Sequence, residues 1–182
     1  MKIAALALSF ALLATTSSQA ALKVGAKAPD FSAPAYLAGQ PFTYKLSEAL
    51  KKGPVVLYFF PAAYTKGCNI EAHLFSEAVD SFKAQGATVI GVTAGQIEQL
   101  AAFSKDTEMC GGKFPVAADA DLKIAKSYDS TLGPISPKPW SNRTSYVIAS
   151  NGKIVHVYSA LSPDQHVAET LGAVKELKAA KK

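Results

Sequence analysis

Apolar residues in this chain fall into short unbroken runs and into stripes at helical spacing, and the two kinds alternate. Val55-Val56-Leu57-Tyr58-Phe59-Phe60 is a continuous apolar run, introduced by Gly53-Pro54 and stopped by Pro61. Rich in β-branched and aromatic residues, it reads as a strand buried on both faces, central in a sheet flanked by helices. Ala72, Phe75, Val79 and Phe82 then recur on one helical face, which predicts a helix from about Lys66 to Ala84. Ala87 to Thr93 is a second buried strand. Strand, helix and strand of these lengths imply a right-handed crossover and parallel pairing.

The pattern continues with a helix from Gln96 to about Glu108, a short strand over Phe114 to Ala118 and a helix over Ala120 to Tyr128. Ser145 to Ala149 and Lys153 to Tyr158 flank Asn151-Gly152, a strong hairpin signal. The last helix is announced by Ser162-Pro163-Asp164, with Ser162 as its cap and Pro163 in its first turn. Nearer the start, Ala35 to Leu37 and Phe42 to Tyr44 around Gly39-Gln40 form an additional hairpin. Two parallel crossovers, an antiparallel hairpin and a closing helix make an α/β protein. The order is that of the thioredoxin fold with an N-terminal β-hairpin added, a central mixed sheet between helices.

The first twenty residues stand outside this pattern. Lys2 precedes the nearly unbroken apolar run Ile3 to Ala14, and Thr15 to Ala20 is small and polar, with Ser18 and Ala20 at the minus-three and minus-one positions of a cleavage site. The run is roughly a dozen residues long, against about 20 for a membrane span. It predicts a secretory signal over residues 1–20, cut after Ala20, and one domain over residues 21–182 in the periplasm or secreted. The chain is 49% hydrophobic and carries a formal net charge of +5. Much of that excess sits in the lysine-tipped end from Lys175 to Lys182, a favourable and usually solvated helix end. Neither nucleic-acid nor membrane binding is expected from it.

Two cysteines remain, Cys68 and Cys110. In an oxidising compartment they could be one structural disulfide, worth roughly 4 kcal/mol in the chain-entropy model. Glu71 stands where a Cys-x-x-Cys motif would need its second cysteine, and two cysteines with three scattered histidines match no zinc-ligand spacing. No metal and no cofactor is expected. The segment with the most chemistry is Pro61-Ala62-Ala63-Tyr64-Thr65-Lys66-Gly67-Cys68, where a central strand ends and a helix begins. Cys68 falls in the first turn of that helix, where free N–H groups favour an anion. Lowering a thiol pKa from about 8.5 to about 6 takes roughly 3.4 kcal/mol of preference for the thiolate. The helix dipole supplies about 0.3–1 kcal/mol, so other donors are needed. Thr65 is a candidate hydroxyl, and Arg143, the only arginine in the chain, the candidate guanidinium; each charge-assisted hydrogen bond gives about 1.5–3 kcal/mol.

Pro61-x-x-x-Thr65-x-x-Cys68 after a buried strand resembles the peroxidatic signature of the peroxiredoxins. Val24 to Phe31 resembles their opening segment, and Arg143 to Ile148 their arginine-bearing strand. The likeness runs from about residue 24 to 175 and is greatest to the bacterioferritin-comigratory-protein, or peroxiredoxin Q, type. It implies a thiol-dependent peroxidase that reduces hydrogen peroxide and organic hydroperoxides. Cys68 attacks the peroxide and becomes a sulfenic acid, Thr65 bonds the thiolate and the peroxide, Arg143 stabilises the thiolate and the leaving oxygen, and Pro61 shields the site from water. Glu71 either orients Arg143 or is a solvated helix-face glutamate. Trp140 either packs over the rim beside Arg143 or anchors its loop.

The chain departs from the family at two places. Lys66 stands where proline is frequent, and His73 where many close relatives carry the resolving cysteine. Other peroxiredoxins place that cysteine on their third helix, which makes Cys110 the expected resolver through an intrachain disulfide. The implied partners are a peroxide and an exported thioredoxin-like or other thiol reductant, the protein itself being a monomer or weak dimer. His73, His156 and His166 show no acid at useful spacing and read as ordinary surface or strand histidines. Two other functions are open on the residues alone: a thiol–disulfide oxidoreductase on the same fold, and a redox-inert holdase or binding protein stapled by Cys68–Cys110.

Overall fold

A computed structural model describes residues 21–133 and 140–180; the expected signal segment lies outside them. Seven strands form one mixed sheet: β1 Ser32–Leu37, β2 Gln40–Lys45, β3 Val55–Phe59, β4 Thr88–Thr93, β5 Val116–Ala118, β6 Thr144–Ile148 and β7 Ile154–Ser159. Their order is β2-β1-β5-β4-β3-β6-β7. β3 pairs parallel with β4, and β4 with β5, while β6, β7, β1 and β2 are joined by antiparallel pairs. Among the described residues the α-helices are α1 Leu46–Leu50, α2 Lys66–Ala84, α3 Leu100–Lys105, α4 Lys123–Ser127 and α5 His166–Ala179.

The unbroken apolar run of β3 has a direct physical use. Val55, Leu57 and Phe59 enter one core cluster, with Leu46 of α1 and Ile124 and Ala125 of α4. Val56, Tyr58 and Phe60 enter the other, with Phe75, Val79 and Phe82 of α2, Phe103 of α3 and Val174 of α5. Alternation along a pleated strand sends neighbours to opposite faces, so a strand with helices over both faces must be apolar throughout. All five β3 residues are buried. The central crossover, the third strand, the N-terminal hairpin and the β6–β7 hairpin follow the expected order.

The differences lie at the ends of helices. The helix expected from Gln96 to Glu108 is a short 3-10 turn, Ile97–Gln99, followed by α3, which stops at Lys105. Cys110 therefore does not end a helix; it sits in the turn that follows. That turn folds back on itself through Gly111 N–H to Asp106 O at 2.8 Å and Gly112 N–H to Ser104 O at 2.9 Å, with both glycines at positive φ. α4 begins three residues later than expected because Asp119 caps it from upstream, accepting the N–H groups of Ile124 at 3.0 Å and Ala125 at 2.7 Å. α5 begins at His166, and Ser162 is not its cap, since its hydroxyl donates to Asp164 Oδ2 at 2.6 Å. The one-turn α1 had no sequence signal near it: its N-terminal Ser47 N–H is taken by Asp30 Oδ1, seventeen residues away. Among the described residues no helix is long and apolar enough to cross a membrane.

Candidate active site

β3 ends at Phe59 and the chain turns through Pro61–Thr65 into α2. This loop is clamped against the chain leaving β4. Thr93 Oγ donates to Pro61 O at 3.0 Å, and Ala62 pairs with Gly95 in a parallel bridge. A Cβ on Gly95 would stand 2.3 Å from Pro61 O, so only glycine lets the two segments meet. The loop delivers Cys68 as the third residue of α2, with its residue surface 1% exposed. Thr65 is the residue preceding the helix, and no side chain caps its first N–H groups. They stay open toward an anion at Cys68.

Arg143 reaches the same place from the strand on the other side, just before β6. Its guanidinium is divided three ways: Nε donates to Leu161 O at 2.8 Å, Nη1 to Glu71 Oε2, and Nη2 to Cys68 Sγ at 3.5 Å. Such a fork is fixed at all three corners, which a flexible ammonium cannot reproduce. Gly67 makes room for it, since a Cβ there would lie 3.0 Å from Arg143 Nη2. The only trace of that requirement along the chain is a glycine in a first helical turn, where glycine is otherwise unfavourable.

Glu71 is not on a solvated helix face. It is fully buried and paired with Arg143, one helical turn beyond Cys68. Burial pushes its carboxyl up to about 8, partly offset by the guanidinium. His166 corrects a further expectation. It is fully buried at the start of α5, and its Nδ1 lies 3.5 Å from Glu71 Oε1 and 2.8 Å from Ser145 Oγ. Burial lowers its pKa to about 4, and the nearby Arg143 charge adds to that. The other two histidines also meet acids: His73 lies 3.5 Å from Glu77, and His156 3.3 Å from Glu169, both at partly exposed sites away from this cluster. His166 and Glu71 are 95 positions apart in sequence, so no local spacing could have paired them.

Thr65 is placed differently from expectation, and Trp140 lies where its backbone ties its loop. The Thr65 hydroxyl donates to Ala62 O at 3.0 Å, closing the loop before α2. A hydroxyl has one proton, so in this geometry it is not given to the sulfur. Pro61 is half-buried at the start of the loop. Trp140 is half-buried, and its carbonyl accepts the Leu132 N–H at 2.9 Å, which ties its loop through the backbone. Among the described residues its ring enters no aromatic pair; the Pro137–Pro139 stretch before it lies outside them.

Cys68 and Cys110 are both free and buried, in the same core cluster. Burial raises the Cys110 thiol far above its ordinary pKa, and Asp106 adds to that. The two cysteine segments touch at Tyr64, whose hydroxyl donates to Asp106 Oδ2 at 3.3 Å and whose ring meets Phe103 edge-on with centroids 5.3 Å apart. Tyr64 holds a positive φ of 57°, a conformation that strains a non-glycine residue. Among the described residues no group of three or more His, Cys, Asp or Glu side chains is arranged to hold a metal ion.

The model of the AhpC/TSA family matches residues 24–157. The chloroplastic peroxiredoxin Q of Sedum lineare is 32% identical over 146 residues, 76% of this chain and 76% of that protein. The chloroplastic peroxiredoxin Q of Triticum aestivum is 31% identical over 136 residues, 74% of this chain but 60% of the wheat protein, so this chain spans about three fifths of that relative. Among solved structures, peroxidoxin BcpB from Mycobacterium tuberculosis matches with a TM-score of 0.75 at 29% identity, covering 86% of this chain and 98% of that one.

Proposed function

The chain belongs to the AhpC/TSA family, the peroxiredoxins, and from that membership we propose that it is a thiol-dependent peroxidase whose attacking residue is Cys68. One observation carries the assignment of Cys68: its sulfur lies in the open first turn of α2, 3.5 Å from a guanidinium pinned on both other sides. The Cys68 thiolate attacks one peroxide oxygen, the O–O bond breaks, and the sulfur is oxidised to a sulfenic acid. The other oxygen leaves as hydroxide or alkoxide and takes a proton. Arg143 Nη2 and the free N–H groups of the first turn face the charge as it moves from sulfur to oxygen. The Thr65 hydroxyl turns from Ala62 O toward the bound peroxide in this step. Hydrogen peroxide and small organic hydroperoxides are the proposed substrates.

Cys110 resolves the sulfenic acid. Its sulfur attacks the Cys68 sulfur, water leaves, and an intrachain disulfide forms, to be reduced by an external dithiol of thioredoxin type. In the closed fold Cys110 is protonated and covered, so the turn from Asp106 to Gly112 and the first turn of α2 must open before the sulfurs meet. Cys110→Ser is therefore expected to keep the rate of the first peroxide turnover. Its sulfenic acid should persist and be trapped by dimedone, while recycling by a dithiol slows. Oxidised wild type should run as a monomer with one Cys68–Cys110 bond on non-reducing peptide mapping. A Cys68–Cys68 dimer, or normal turnover of Cys110→Ser with a small thiol, would make Cys110 a packing residue.

The alternatives are less well supported. An oxidoreductase exchanging disulfides needs a second thiol one turn after Cys68, and that position is held by Glu71, already committed to Arg143. In the fold described, Cys68 and Cys110 are both free and each is buried among the side chains of one core cluster, with no staple between them. Export rests on the sequence of residues 1–20. N-terminal sequencing of protein recovered outside the cytoplasm is expected to begin at Ala21; an intact Met1 start in that fraction would refute processing.

A further inference from the structure

Glu71 and His166 face each other behind Arg143, and the peroxidase chemistry leaves their contact unused. Glu71 Oε2 takes the guanidinium; its other oxygen, Oε1, is buried without a hydrogen-bond partner and lies 3.5 Å from His166 Nδ1. The far side of the ring fixes its tautomer. His166 Nε2 is 2.9 Å from Ala160 O, which can only accept, so Nε2 carries the hydrogen. A neutral ring then presents one lone pair at Nδ1, which accepts the Ser145 hydroxyl at 2.8 Å and also faces Glu71 Oε1. An ionised Glu71 would set lone pair against lone pair across that gap. An ionised Oε1 meets no donor there, whereas a protonated one can share the Nδ1 lone pair with Ser145.

Counting charge leads to the same place. A Cys68 thiolate, an Arg143 cation and a Glu71 carboxylate sum to one negative charge, and all three residues are buried. An uncompensated buried charge is strongly unfavourable. A proton on Glu71 makes the group neutral. We propose that Glu71 carries a proton on Oε1, directed at His166 Nδ1, while Cys68 is a thiolate, so that His166 is a positioning residue that leaves the Arg143 charge to the sulfur. This rests on Cys68 acting as the peroxidatic thiolate. The raised Glu71 and lowered His166 are the shifts such an arrangement requires. The other groups facing the pair supply no competing base: Ser145 on β6 donates its hydroxyl to Nδ1, and the Tyr158 ring on β7 meets His166 edge-on at 4.8 Å. Tyr58 on β3 is held protonated by burial, with its pKa well above the ordinary value. Thr170 on α5 gives its hydroxyl to the His166 carbonyl at 2.7 Å.

The test reads Cys68 ionisation in the intact reduced protein, from the pH dependence of iodoacetamide alkylation, and needs no turnover. Glu71→Gln mimics the protonated carboxyl and is expected to leave the Cys68 pKa within about 0.3 unit of wild type. A fall of about one unit would mean that Glu71 was an anion, and would overturn the proposal. His166→Leu removes the acceptor and is expected to raise the Cys68 pKa by about one unit, a tenfold loss of thiolate below the midpoint. In the double variant that rise should vanish, because glutamine has no proton to lose. An equal shift in both backgrounds, or none in either, would make His166 a packing residue. Should His166→Leu fail to fold, ring ¹⁵N spectra of wild type and Cys68→Ser decide. Proton linkage is reciprocal, so removing the thiolate should lower the pH at which the His166 Nδ1 signal reports loss of the Glu71 proton; an unmoved midpoint rejects the idea. Failure of the peroxidase reading would show separately, as peroxide reduction surviving in Cys68→Ser.

Discussion

Cys68→Ser is expected to give a folded protein that consumes no peroxide. Serine fits the space, because Cys68 is buried in the first turn of α2 and serine is smaller by the difference between sulfur and oxygen. The fork of Arg143 keeps its bonds to Leu161 O and Glu71, so the supports of the site survive the change. What disappears is the nucleophile. No donor set of this size brings an alcohol near ionisation at neutral pH, and an alkoxide oxygen cannot take up the peroxide oxygen as a stable acid the way sulfur does. Stopped-flow peroxide consumption should fall below about 1% of wild type, at least 2.7 kcal/mol at the barrier, with far-ultraviolet circular dichroism unchanged. Activity above a few per cent would move the nucleophile to Cys110. That thiol is held protonated by burial and by Asp106, which is why this outcome is not expected.

How far this could be read from the residues depended on the range of each interaction. The β3 run, the α2 stripe and the two parallel crossovers are local periodicities answered by burial, and α2 spans Lys66–Ala84 as its pattern predicts. Helix ends were less legible. Asp30 and Asp119 cap α1 and α4 from outside the helices they start, so a search for a cap in the adjacent residue misses α1 and misplaces the start of α4. The helix expected from Gln96 to about Glu108 stops early, because the Asp106–Gly112 backbone bonds turn the chain back at Asp106 and leave Cys110 in that turn. At the site, Cys68 and Arg143 stood out by type and position. His166 did not, because its significance comes only from the packing of α5 against α2 and β6. Gly67 and Gly95 matter for the room they leave, a property of their neighbours rather than of glycine itself.

Arg143→Ala is expected to slow peroxide reduction by about 10²-fold or more, roughly 2.7 kcal/mol at the barrier, and to raise the Cys68 pKa. Arg143→Lys should recover little of either. A lysine keeps the charge, but its single ammonium cannot meet Leu161 O, Glu71 Oε2 and Cys68 Sγ from the directions that the guanidinium occupies. The same substitution also exposes the electrostatics through stability. Glu71 has a folded pKa of about 8, above its unfolded value near 4.5. Over that interval the native state binds more protons than the unfolded chain, so stability falls as pH rises toward about 8 and then levels off. In Arg143→Ala the guanidinium no longer favours the carboxylate, so the folded pKa rises further and the decline extends to higher pH. The gap in Tm between wild type and Arg143→Ala should therefore widen from pH 7 to pH 9, as seen by differential scanning calorimetry. A gap that stays constant over this range would mean that Arg143 holds the fold by packing and its bond to Leu161, with its pairing to Glu71 contributing nothing that titrates.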